Sequence, residues 1–246
     1  HLPMMLSPKG EKLSKRHGSV SVHEYRDRGY SPMGVLNYLV RFGWSHGDQE
    51  IFSRDELVRA FTWDHVNKSD GKFDEKKFAD VAFEHLKRTD LTNADEYATR
   101  TLPFLKARGF ESATAERVRP LLPLIRERAR NFADAAQHLD YFFRSPPALD
   151  PAAQKKFLLP ATAPLLRELG VAFRALSNWC SAELEQCVLN LCGARGLTMK
   201  DVAQPLRVAA TGRSASPPMF EVLELLGREA TLERLEIAAR IAETTP

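Results

Sequence analysis

Hydrophobic positions in this chain recur with the three- to four-residue spacing of amphipathic helices. Such stripes run through residues 35–42, 57–61, 184–191 and 232–241. Sustained alternation of apolar and polar residues, the pattern of a half-buried strand, is almost absent. The pattern therefore predicts a mainly α fold.

Helix ends are marked by polar caps, prolines and glycines. Ser53 with Glu56 has the spacing of a capping box, and Thr198 with Asp201 opens a further helix in a similar way. Proline follows the cap at Ser31 and Ser216, where it suits the first helical position. The predicted helix starts are Ser31, Ser53, Ser112, Ser181, Thr198, Ser216 and Thr231, and the predicted stops are Gly43, Gly193 and Gly227.

Prolines also indicate where helices break and where domains part. Pro120 and Pro123 interrupt an apolar segment, so one helix ends there or starts afresh. A chain of 246 residues suffices for two modest domains or one large one. The proline cluster at 145–151 is the best candidate for a boundary between them.

Composition constrains the function only weakly. The net charge of +3 permits a polyanionic partner without requiring one, so any nucleic-acid surface must come from local clusters of Lys and Arg.

No apolar run approaches the ~20 residues of a membrane span, and no signal peptide is visible. Cys180, Cys187 and Cys192 favour reduced thiols in a cytoplasmic protein, and neither they nor the scattered histidines have the spacing of a metal site.

A cationic segment bounded by glycines, Lys12-Leu13-Ser14-Lys15-Arg16, lies near the beginning of the chain. Lysine ammonium groups, a serine hydroxyl and backbone N–H groups together suit a polyphosphate ligand. On spacing alone, however, a basic pentamer is more often a solvated surface run.

The wider sequence gives this segment a context. Residues 10–18 closely resemble the KMSKS signature loop of class I aminoacyl-tRNA synthetases, and the Arg and His-Gly after the second lysine resemble the bacterial glutamyl-tRNA synthetase family. Further motifs of that family follow in order: Tyr30-Ser31-Pro32, Leu36-Asn37-Tyr38-Leu39, Gly43-Trp44-Ser45, Glu50-Ile51-Phe52-Ser53, Phe61-Thr62-Trp63, Ala203-Gln204-Pro205-Leu206-Arg207, Thr211-Gly212-Arg213, Ser216-Pro217 and Phe220-Glu221.

The resemblance implies an organisation and an activity. We expect a loop remnant of the catalytic domain (1–22), a stem-contact helical segment (23–90) and two helical anticodon-binding subdomains (91–148 and 149–246) that form an α-helix cage. The intact enzyme would use ATP and Mg²⁺ to ligate glutamate to tRNA(Glu) as a monomer. Because the resemblance begins within the ATP-binding loop, we expect this chain alone to bind tRNA without activating glutamate.

The resemblance also assigns site residues. Lys12, Ser14 and Lys15 correspond to the loop that contacts the phosphates of ATP. Arg128 corresponds to an arginine that reads the third anticodon base, with Arg126 or Arg130 taking its place if the register shifts. The positions that correspond to contacts with the other anticodon bases are Arg207, Ser216, Pro217 and Met219. Without the resemblance, the arginines read as solvated or helical residues and Met219 as part of a core.

One stretch departs from the family, and one alternative function stays open. The W-x-N pattern usual after Phe73-Asp74 is absent from residues 78–85, so we predict no stem-contact residue there. The alternative is a helical protein–protein scaffold without an RNA role. Salt dependence separates the two, because phosphate contacts release counterions and affinity for RNA then falls steeply with salt.

Overall fold

The computed structural model describes residues 4–13 and 21–245, and it confirms a mainly α fold. The α-helices are α1 Val22–Asp27, α2 Pro32–Val40, α3 Arg54–Ala60, α4 Glu75–Lys87, α5 Ala94–Ala107, α6 Ala115–Val118, α7 Leu122–Ile125, α8 Phe132–Leu139, α9 Pro151–Phe157, α10 Ala163–Arg174, α11 Ser181–Arg195, α12 Met199–Thr211, α13 Met219–Leu226 and α14 Arg228–Thr244. Short 3₁₀ turns occupy Trp63–His65, Arg119–Leu121, Asp140–Phe142 and Pro160–Thr162. Two short strands, β1 Met5–Leu6 and β2 Gly71–Lys72, pair in parallel.

The chain divides into two compact units. Of the described residues, the first unit contains those up to Leu122 together with Arg126–Gln137, and the second contains Pro123–Ile125 together with those from His138 onward. The proline cluster at 145–151 lies inside the second unit rather than at this division. The subdomain limits implied by the resemblance stay predictions.

An aromatic cluster forms one core of the first unit. Tyr25, Tyr38, Phe73 and Phe78 are buried, with the rings of Tyr25 and Phe78 4.6 Å apart. Helix α2 approaches α4 closely at Gly34, where a Cβ atom would lie 2.8 Å from the Cα of Ala82. Glycine is therefore required at that helix contact.

A buried polar network ties α2 to α4 and to the segment before α3. Asn37 donates from Nδ2 to the Glu50 carbonyl at 2.8 Å and accepts from the Phe52 N–H at 2.7 Å. Its Oδ1 lies 2.9 Å from Nε2 of His85, a fully buried residue. Asn37 thereby bonds two buried groups, the Phe52 N–H and the His85 ring, together with the carbonyl of Glu50.

The second unit packs around α10 and α14. Leu166, Leu169 and Phe173 of α10 are fully buried in a core that also receives Ala239 and Ala242 of α14. Arg234 of α14 is only 3% exposed, and it donates to the carbonyls of Ala210, Tyr141 and Arg144 at 2.5, 2.7 and 2.7 Å. This one side chain ties three segments together from inside the unit.

Several predicted helix ends are confirmed. Both capping boxes form: Ser53 with Glu56 at the start of α3, and Thr198 with Asp201 at the start of α12. Ser31 precedes α2 with Pro32 at its first position, but the predicted stop at Gly43 is not where α2 ends, because its last residue is Val40 and its C-cap is Arg41. Helix α11 begins at Ser181 as predicted, and α13 ends just before Gly227.

Four other predicted helix ends are wrong. The cap of α6 is Thr114 rather than Ser112, and α13 begins at Met219 after Pro218 rather than at Ser216-Pro217. Helix α14 begins at Arg228, so Thr231 lies inside it. Helix α11 continues through Gly193 to Arg195 and is capped by Gly196, whose φ of 64° gives the left-handed conformation that closes a helix.

Candidate nucleic-acid interface

The predicted phosphate-binding loop begins on a tight hairpin. Residues 5 and 6 face residues 12 and 13, because Lys12 bridges to Leu6 and the Leu13 N–H donates to the Met5 carbonyl at 3.0 Å. Gly10, at φ 85°, allows the turn. Leu13 packs against the aromatic cluster of the first unit while Lys12 is exposed. The hairpin thus holds an exposed ammonium group next to an anchored leucine, while Ser14 and Lys15 lie outside the described residues.

Arg128 is exposed on a turn that follows α7, not on a helix as sequence reasoning assumed. Its two alternatives are placed differently. Arg126 is only 9% exposed and donates from Nη1 to the carbonyls of Leu86 and Thr92. Arg130 is exposed and pairs with Asp80. Of the three arginines, Arg128 is therefore the one that presents its side chain to solvent without an ion pair in the described part of the chain.

Arg207, in α12, is half-buried and faces the loop that leads to α13. Its Nη1 donates to Oγ of Ser216 at 2.5 Å and lies 3.2 Å from the carbonyl of Pro217. Arginine suits this position because its guanidinium can serve several acceptors in a fixed geometry. Arg207 and Ser216 are therefore brought together, with the arginine supporting the loop from within.

Two other predicted contact residues in this loop are largely covered. Pro217 is buried, and Met219 is 5% exposed within the core of the second unit. Pro218, between them, is exposed at the position before α13. The structure thus places Met219 as a packing residue, in line with the alternative interpretation of Met219 as part of a core.

Sequence reasoning assigned no role to two neighbours that build the same loop. Arg213 donates to both carboxylate oxygens of Asp140, and its backbone N–H donates to Oγ1 of Thr211 at 3.2 Å. Gly212 has φ 77°, and its carbonyl accepts from the Asp150 N–H at 2.8 Å. The Thr211-Gly212-Arg213 motif could have indicated this turn. It could not indicate Asp140, the carboxylate partner of Arg213, which lies 73 positions away in the sequence.

No metal centre emerges from the described residues. Among residues 4–13 and 21–245, no group of three or more His, Cys, Asp or Glu side chains could hold an ion. Cys180, Cys187 and Cys192 are free thiols, and burial raises the pKa of Cys187. No helix within those ranges is long and apolar enough to cross a bilayer.

The chain matches two known family models. Residues 96–239 match the family model described as "Anticodon binding domain", and residues 1–80 match that of "tRNA synthetases class I (E and Q), catalytic domain". The chain belongs to the anticodon-binding-domain family of class I aminoacyl-tRNA synthetases.

Curated relatives of the chain include glutamate–tRNA ligases. The chain is 46% identical over 98% of its length to the glutamate–tRNA ligase of Anaeromyxobacter sp. strain Fw109-5, and 38% identical over 98% to that of Desulfosudis oleivorans. It spans 50% and 51% of those proteins, about half of their length.

A solved structure is similar over the whole chain. The crystal structure of a glutamate tRNA ligase from Elizabethkingia meningosepticum in complex with its amino acid superposes with a TM-score of 0.83 at 28% identity. The match covers 100% of this chain and 51% of that one. These similarities lend no support to the alternative of a protein–protein scaffold.

Proposed function

We propose that this chain is the tRNA-recognition part of a glutamate–tRNA ligase, a protein that joins glutamate to tRNA(Glu) at the expense of ATP. The observation that carries the proposal is the anticodon-binding match over residues 96–239, because it encloses Arg128, Arg207 and the 212–218 loop. We further propose that the protein acts as a monomer in the cytoplasm.

Arg128 is the residue we assign to the third anticodon base. Its side chain lies on an exposed turn, where a splayed base can approach. The guanidinium carries donors only, which match O2 and N3 of cytosine. Uracil presents a protonated N3 in the same place, so a donor aimed there meets another donor. Arg128 therefore favours tRNA whose anticodon ends in C.

The other anticodon bases are assigned to the 212–218 loop. Arg207 holds Ser216 and Pro217 in place through their side-chain and carbonyl oxygens. Met219 anchors the beginning of α13 in the core and so fixes the far end of the loop. Of the predicted contact residues there, Ser216 and Arg207 keep part of their surface accessible to a base.

Lys12, Ser14 and Lys15 are assigned to the phosphates of ATP. Lys12 is exposed beside the anchored Leu13, and its mobile charge suits phosphate oxygens. Mg²⁺ commonly binds through substrate phosphates with few protein ligands, so it would come with the nucleotide. What this chain adds to the reaction is positive charge next to those phosphates.

A binding titration tests the proposal. Purified protein is titrated with tRNA(Glu), tRNA(Gln) and a tRNA of unrelated anticodon at several salt concentrations. We expect tRNA(Glu) to bind most tightly, with a logarithm of affinity that falls linearly with the logarithm of salt. Equal affinity for all three tRNAs, or binding that does not respond to salt, would overturn the proposal.

A further inference from the structure

We infer that Arg126 is a positioning residue for anticodon recognition, because its buried guanidinium fixes the turn on which Arg128 is presented. The inference rests on the role proposed for Arg128. The two residues are two positions apart, yet one side chain is enclosed by the first unit and the other is exposed.

The contacts of Arg126 join three segments of the first unit. Nη1 donates to the Leu86 carbonyl at 3.1 Å and to the Thr92 carbonyl at 2.8 Å. Leu86 lies in the last turn of α4, where helix carbonyls lack intrahelical partners, and Thr92 lies just before the Asn93 cap of α5. The guanidinium carbon also lies 5.0 Å from the centre of the Tyr97 ring.

The way this charge is compensated favours an orienting role. In the described part of the chain, Arg126 is held by carbonyl groups and an aromatic ring, without a carboxylate. Burying a cation is costly, and even buried ion pairs can often be replaced by apolar side chains of similar volume without loss of stability. A guanidinium, unlike such a side chain, donates in a rigid planar geometry, and here its Nη1 is held by two carbonyls that constrain the direction of the side chain.

The far side of the turn is also held. Ala129 is fully buried, and the Arg130 N–H donates to Oδ2 of Asp134 at 2.9 Å. The guanidinium of Arg130 pairs with Asp80 and lies 5.0 Å from the ring of Phe83, both in α4. Residues on both sides of Arg128 are thus attached to α4, so its backbone is pre-organised before any base arrives.

The test is a double-mutant cycle. Arg126→Met, Arg128→Gln and the double variant are compared with wild type by their Kd for two tRNA(Glu) transcripts, one with C and one with U as the third anticodon base. We expect Arg126→Met to reduce the preference for C by roughly tenfold. Because Arg126 acts through Arg128, the double variant should discriminate between the two transcripts no worse than Arg128→Gln alone.

Two further variants separate positioning from mere structure. Arg126→Lys keeps the charge and its N–H donors on a flexible stem but loses the planar guanidinium, so it should retain part of the preference for C. Arg100→Met removes an exposed cation of α5 that pairs with Glu96, and it should leave the preference unchanged. Circular dichroism establishes whether each variant is folded. If Arg126→Met does not fold, the preference for C is measured on Arg126→Lys instead.

The outcomes are distinct. A folded Arg126 variant with wild-type preference, or one that weakens binding of both transcripts equally, would overturn the positioning role. A double variant whose loss of preference for C, expressed as a free energy, equals the sum of the two single losses would also overturn it. If Arg128→Gln itself leaves the preference unchanged, the role proposed for Arg128 fails, and the inference fails with it.

Discussion

Arg213 donates from Nη2 to both carboxylate oxygens of Asp140, at 2.8 and 2.9 Å. The side chains are 30% and 17% exposed, so water screens the pair only partly. The contact ties the loop after α12 to the 3₁₀ turn Asp140–Phe142. Together with Arg207, which reaches Ser216 from inside, it gives the proposed base-binding loop two anchors.

Replacing Asp140 with Asn should therefore destabilise the second unit. The substitution keeps the shape but removes the charge, leaving a half-buried guanidinium with a weaker acceptor. We expect the free energy of unfolding in urea to fall by about 1–2 kcal/mol. As a control, Glu236→Gln weakens solvent-exposed pairs with Arg240 and Arg167, and it should change the free energy of unfolding by less than about 1 kcal/mol. Equal effects of the two substitutions would mean that the Asp140 pair is no more than a surface contact.

Gly212 is a position where a side chain cannot be accommodated. Its φ of 77° is unfavourable for other residues, and a Cβ atom would lie 2.1 Å from the carbonyl oxygen of Ala148. Gly212→Ala should lower the free energy of unfolding by more than about 2 kcal/mol, because backbone must shift. It should also weaken tRNA binding, since the loop that begins here moves with it.

Gly193 provides the matched control. It lies in the interior of α11 with a negative φ, and a Cβ atom there would meet nothing within 4 Å. Gly193→Ala should stabilise the chain by about 0.5–1 kcal/mol through helix propensity. Thermal melts of the two variants side by side check both signs, and destabilisation by Gly193→Ala would show that local backbone geometry is not what sets the difference.

His85 should make the first unit sensitive to acid. Burial, with a smaller effect of the Arg88 charge, lowers the pKa of His85 to about 4 from its ordinary value of 6.5. Protonation is therefore favoured in the unfolded chain. The stability contributed by neutral His85 is complete above pH 6.5 and is lost as the pH falls toward 4. The full loss would be up to about 3 kcal/mol, since one pKa unit corresponds to 1.36 kcal/mol.

Variants at two histidines test this dependence. His85→Gln can still donate to Asn37 but cannot titrate, so its melting temperature should fall less than that of wild type between pH 7 and pH 5. His23→Gln removes an exposed histidine and should behave like wild type. If wild type and His85→Gln lose stability in parallel, another group governs acid unfolding.

Arg128→Gln should relax discrimination between tRNA(Glu) transcripts that end their anticodon in C or U. An unpaired polar group in the interface costs about 1–3 kcal/mol, so the ratio of the two Kd values should fall by about one to two orders of magnitude. The exposed turn tolerates glutamine, so melting should be unaffected. Arg59→Gln, which removes an exposed cation of α3, should leave the ratio at its wild-type value. A ratio unchanged in Arg128→Gln would leave Arg128 as a surface arginine.

Helix ends differ in how far the sequence alone predicted them. The helix starts predicted at Ser53 and Thr198 are right because in each the cap and its partner lie three residues apart, and the interaction is complete within one turn. Ser216 looked like another cap, but its hydroxyl accepts from Arg207 instead, and α13 begins three residues later. Thr231 looked like a start, yet it is buried inside α14.

By itself, the sequence determined the mainly α fold, the order of motifs and the family, because helical periodicity and motif spacing are properties of neighbouring residues. It also limited the candidate for the third anticodon base to Arg126, Arg128 and Arg130. Only the tertiary structure separated these three, because burial of Arg126 depends on carbonyls 40 and 34 residues away. The same holds for Asp140, which meets Arg213 across 73 positions. Contacts at such separations arise from the packing of helices and leave no pattern in the local sequence.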